Sequence, residues 1–142
     1  MSNSIDYLEI GAETQAHALG WLYRSQLNAS YVNPRNSRPG PVVFLLGCRT
    51  NAQTEDGYGL LAEQFLKLSA SIVVGTTAEI LAKHAAPVAR EFIRLLVTDE
   101  RGEDFGAVMR RARRRMLASG YLMAMGVVAL GDAEWRLAPG VH

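Results

Sequence analysis

The residue with the most chemistry open to it is Cys48, the only cysteine in the chain. It comes directly after an unbroken apolar run, Val42 to Leu46, and Gly47, and it leads into the polar stretch 49–57. A thiolate at such a place could attack a carbonyl. A free thiol titrates near ~8.5, so a neighbour must lower that value before much thiolate exists at neutral pH. The neighbour is usually a histidine or a helix N-terminus. The chain offers three histidines, His17, His84 and His142. His142 is terminal, and His17 lies in a stretch with helical spacing, where it reads as a surface or half-buried residue. His84 follows the loop after the second strand, so it is the internal candidate for a dyad with Cys48. The competing reading of His84 is a helix-surface imidazole. For Cys48 it is a small core filler, because cysteine is among the most buried residue types.

A second concentration of chemistry is basic. Arg110, Arg111, Arg113, Arg114 and Arg115 fall within six residues. Such a helix face could grip phosphates or an acidic partner. Nearby Asp99, Glu100, Glu103 and Asp104 favour a solvated, internally balanced face instead. No aromatic residues are interleaved to stack on bases, which argues against single-stranded nucleic acid as a partner. The phosphate-loop, dinucleotide and Gly-x-Ser-x-Gly templates are all absent. There is no His/Cys spacing for a metal, and no cofactor is implied. Glu55 and Asp56 are adjacent in a loop and read as solvated rather than as a catalytic pair.

The elements that must position Cys48 can be read in order. Residues 5–10 suit a short strand or docking arm, and Gly11 breaks it. Apolar spacing through Leu19, Trp21, Leu22 and Leu27 predicts a helix from 12 to about 27, weakened by Gly20. Turn formers make 28–41 a loop, with Arg35 and Arg38 in solvent. Residues 42–47 read as a buried parallel strand, which puts Cys48 at its carboxyl end, where open α/β sheets bind ligands. A helix through about 69 and a second buried strand at 71–75 complete a right-handed βαβ unit. Its loop, Thr76-Thr77-Ala78-Glu79, then opens on the same edge as Cys48. A long helix reaches about Val97, with Pro87 expected in a first turn. Asp104 looks like the N-cap of a helix over 105–118, ended by Gly120. Residues 122–130 read as a third buried strand.

Composition bounds the rest. At 142 residues, 49% hydrophobic and 20% charged, the chain reads as a single globular domain over 1–142. The net charge of +1 predicts no polyanionic partner. One cysteine excludes an internal disulfide framework and fits a reducing, cytoplasmic setting. The start, Met-Ser-Asn-Ser-Ile-Asp, lacks the basic and apolar regions of a signal peptide, and no apolar run approaches the roughly 20 residues of a membrane helix.

Five segments, in order, resemble the CHAT family of caspase-like cysteine peptidases, relatives of caspases and separases. Residues 42–50 resemble the strand and nucleophile. Residues 59–66 resemble the helix after the cysteine. Residues 69–76 resemble the next strand, with its Gly-Thr ending. Residues 107–118 resemble the late Ala-x-x-x-Ala-Arg helix, and 127–137 the closing Gly-Asp-Pro, Trp-Arg-Leu signature, with Ala133 where the family has proline. The resemblance implies a caspase-like α/β sandwich, here a partial sheet of three to four strands flanked by helices. It implies Cys48 as nucleophile, backbone N–H groups at Gly47 and Cys48 for the oxyanion, and Thr76, Thr77 and Glu79 on the substrate side. The family's base is a histidine in a His-Gly motif before the cysteine, and no His-Gly dipeptide occurs here. The chain therefore resembles the carboxyl-terminal half of such a domain.

Two expectations follow. As an enzyme, it is a peptidase half that cleaves a protein or peptide and takes its histidine from another segment or chain. As a rival, it is a degenerate, non-catalytic interaction domain. In either case the Val42–Leu46 strand should present an open edge, available to a second polypeptide or to self-association. A generic α/β domain that binds an acidic partner through its arginine helix is a third reading.

Overall fold

The computed structural model describes residues 7–10, 20–46, 58–77, 82–98 and 102–136. Among these, five strands and four α-helices follow one another as β1 (Tyr7–Ile10), β2 (Gly20–Tyr23), α1 (Ala29–Val32), β3 (Val42–Leu45), α2 (Tyr58–Lys67), β4 (Ile72–Thr76), α3 (Ala82–Val97), α4 (Phe105–Ala118) and β5 (Val127–Gly131). The main sheet has the order β3-β4-β5, with β3 parallel and β5 antiparallel to β4. The pair β1-β2 forms a separate antiparallel ribbon.

Strand β4 is the centre of the molecule, and all five of its residues are buried. Its side chains alternate between two cores, as the pleat requires. Ile72 and Val74 face α3 and α4, in a core completed by Val88, Phe92, Phe105, Val108, Met116 and Val127. Val73 faces α2, with Leu45, Leu61, Ala62, Phe65 and Ala70. The result is a three-layer α/β/α arrangement, in keeping with part of a caspase-like sandwich.

The ends of the elements are fixed by local chemistry. Asp104 caps α4, its carboxylate accepting from Ala107 N–H at 2.7 Å, as the sequence predicts. The N–H groups of Phe105 and Gly106 donate to the carbonyls of Trp135 and Ala133, so the turn after β5 completes the cap. That turn needs Gly131, whose φ is +119° and where a Cβ would lie 2.2 Å from the Ser71 carbonyl oxygen. Helices α2 and α4 end alike. Ala70 N–H reaches back to Phe65 C=O and Ser69 N–H to Leu66 C=O; Tyr121 and Gly120 N–H reach Met116 and Leu117 C=O. The left-handed position is Gly120 in α4 but Ser69, at φ +70°, in α2.

Several expectations are corrected. Residues 20–23 form β2 rather than helix, because Trp21 and Tyr23 favour an extended chain and the segment pairs across to β1. Residues 11–19, including His17, lie outside the described residues. The expected loop 28–41 contains α1, capped by the Asn28 side chain accepting from Tyr31 N–H. Arg35 and Arg38 are exposed, as expected. Pro87 lies inside α3, not in its first turn. The helix runs through it without the bond that Pro87 cannot donate, held by the burial of Val88, Phe92 and Leu95. The third strand is shorter and more exposed than expected. Leu122–Gly126 is a 3₁₀ turn, and only Val127 of β5 is buried. Among the described residues no helix is long and apolar enough to cross a membrane.

Candidate active site

The connections of the sheet define where a ligand can sit. The chain leaves β3 toward α2 on one face and leaves β4 toward α3 on the other. The crevice between the carboxyl ends of β3 and β4 is therefore a topological switch point, the usual ligand position in an open α/β sheet. Leu45 is paired with Gly75 in the parallel register, and Leu46 is the last described residue before Gly47 and Cys48. Gly47, Cys48 and Glu79 lie outside the described residues. Strand β3 thus delivers the chain to this crevice immediately before the thiol.

On the β4 side, Thr76 is fully buried. Thr77 is committed to the fold: its N–H and its hydroxyl both donate to the Gly126 carbonyl, at 2.6 and 3.1 Å. This pair of bonds ties the 3₁₀ turn to the carboxyl edge. Helices α2 and α3 both follow strands that end on this edge, so both N-termini, the positive ends of their dipoles, lie there.

His84 is half-buried in the first turn of α3. It shares the i, i+4, i+7 stripe of Val88 and Glu91, which faces α4 through the Glu91–Arg115 ion pair at 3.2 Å. The contact of α3 with β3 is made on another side of the helix, by Phe92 against Phe44 at 6.3 Å between ring centres. The opposite flank of α3 carries Ile93 and Val97, exposed at 48% and 70%. Among the described residues β3 is an edge strand, and this apolar flank lies on the same side.

The arginines of α4 divide. Arg111 pairs with Glu103, Arg115 with Glu91, and Arg113 donates to the Val127 carbonyl. Only Arg110 and Arg114 project as an exposed i, i+4 pair. Most of this cluster therefore serves the fold. Glu91 also takes two bonds from Arg94, at 2.9 and 3.0 Å, and these with the charges of Arg94 and Arg115 hold its carboxyl below the usual range. A cleft of about 250 Å³ beside it, lined by Val88, Met116 and Tyr121 among others, lies between α3 and α4. Among the described residues no group of three His, Cys, Asp or Glu side chains could hold a metal.

An α/β/α sandwich in which a glycine and a lone cysteine follow the parallel strand β3 in sequence is in keeping with a cysteine peptidase of the caspase-like clan. Comparison with protein families agrees: residues 4–138 match the model of peptidase family C25, and the chain belongs to that family of cysteine peptidases. No curated protein and no solved structure matches the chain significantly.

Proposed function

We propose that this chain is the nucleophile-bearing half of a caspase-like cysteine endopeptidase, with the CHAT-type arrangement as its detailed pattern and Cys48 as its nucleophile. The observation that carries the reading is the β3–β4 switch point, reached by Leu46 in a member of a cysteine peptidase family. The N-termini of α2 and α3 on the same edge favour an anion there, and so favour a thiolate. Cys48 attacks the scissile carbonyl, the Gly47–Cys48 backbone N–H groups steady the oxyanion, and a histidine protonates the leaving amine. Thr76 supports the substrate side of the crevice, and the loop through Glu79 extends it.

The histidine comes from another segment or from a second polypeptide. His84 begins the stripe of α3 that faces α4, which makes it the weaker base. The open side of β3, together with Ile93 and Val97 above it, suits a partner that continues both the strand layer and the helix layer. The lone cysteine is in keeping with a reducing, cytoplasmic setting. The absence of a His-Gly dipeptide supports one rival, a non-catalytic member that keeps the fold and binds a partner.

Sedimentation of the purified chain tests the open edge. The expected result is concentration-dependent association that Val43→Lys abolishes, because a charge on an edge strand discourages pairing. A clean monomer at all concentrations, with β3 amides exchanging freely, would count against the reading.

A further inference from the structure

The carboxyl edge of the sheet carries an exposed apolar stripe that the catalytic reading does not use. Leu122 and Met125 are 72% and 70% exposed. They stand three residues apart in the 3₁₀ turn, where i and i+3 side chains eclipse, so they form one strip, while Ala124 of the same turn is buried. Tyr121 adjoins them. The remaining exposed large apolar residues among those described are placed otherwise: Ile93 and Val97 on α3, Leu117 on α4, Leu130 far along β5, Tyr31 on α1. The turn is also anchored, since Gly126 receives both bonds from Thr77.

Resting on the peptidase reading, we infer that Leu122 and Met125 form a subsite for an apolar side chain of the peptide substrate, two or three residues from the scissile bond. The spacing follows from the sheet. Strands β3 and β5 flank β4, so their columns are about 10 Å apart at roughly 4.8 Å per strand step. An extended peptide laid across the edge covers that distance in about three residues at ~3.3 Å each. Two exposed, flexible apolar side chains on an anchored turn suit an aliphatic or aromatic residue and reject a charged one.

The test uses two peptidyl chloromethyl ketones of equal length, one with Leu and one with Asp at the second and third residues from the reactive group. The rate of Cys48 alkylation by each is divided by the rate with iodoacetamide, which reports thiol reactivity alone. The wild-type chain should favour the Leu probe by about tenfold, the scale of a hydrophobic-pocket preference. Leu122→Asp and Met125→Asp, both at exposed sites, should erase the preference; Tyr31→Asp, on exposed α1, should keep it. A preference that survives both stripe substitutions overturns the inference. Fluorescence anisotropy of a labelled Leu-rich peptide on Cys48→Ser separates the two readings. Binding that is lost in Leu122→Asp, with no probe-selective alkylation of the wild type, keeps the stripe and removes the peptidase. No binding and no selective alkylation removes the stripe.

Discussion

Gly131 is the residue whose replacement should be felt most widely for its size. It ends β5 at φ +119°, with no room for a Cβ beside the Ser71 carbonyl, and the turn it starts caps α4. Gly131→Ala should cost roughly 3 kcal/mol in urea unfolding, from strained backbone and displaced contacts. Ser69 is the opposite case. It holds the left-handed position that Gly120 fills in α4, so Ser69→Gly should stabilise by about 1 kcal/mol, read as a higher urea midpoint at constant slope. Phe92, fully buried between β3 and the α3–α4 core, should lose about 3–5 kcal/mol as Phe92→Ala. Glu91 supplies a pH dependence. Its folded pKa is lowered by Arg94 and Arg115, so its contribution is present above the pH where a free glutamate titrates, about 4.3, and is lost as pH falls through the lower folded value. Glu91→Gln should therefore flatten the loss of stability on acidification, measured by urea unfolding across that range.

At the scale of elements, what the sequence made legible was what local chemistry decides. The stretches 42–47 and 71–75 read as strands because each carries a short apolar run rich in β-branched residues, and strands form there at Val42–Leu45 and Ile72–Thr76, buried or half-buried as expected. Asp104 and Gly120 marked α4 because a cap and a left-handed stop are chemical necessities at helix ends. The misreadings lie where tertiary contacts overrule local pattern. Trp21 and Leu22 fit a helical spacing as well as a strand, and only pairing with β1 settles the choice. Pro87 argues for a helix start, yet burial of the turns around it carries the helix through. Leu122 to Leu130 looks uniformly apolar, but β4 offers a partner only from Val127 onward. The Thr77–Gly126 bonds, which bring the Met125 turn to the candidate site, join residues 49 apart and leave no local signal.

At the scale of the whole molecule, the described residues form a three-stranded sheet between helices and a separate two-stranded ribbon. The family match covers residues 4–138, and among the described residues the strand that precedes Cys48 in sequence lies at the edge of the sheet rather than the centre. In the proposed reading, catalysis depends on what completes that edge, and the poise of the thiol on the N-termini of α2 and α3. The pH dependence of Cys48 alkylation by iodoacetamide, run beside His84→Ala, tests this most directly. The account predicts a midpoint below the free-thiol value of about 8.5, unchanged by His84→Ala. A midpoint at or above that value would make Cys48 a core filler and contradict the account, and one that rises in His84→Ala would contradict the claim that the histidine comes from outside.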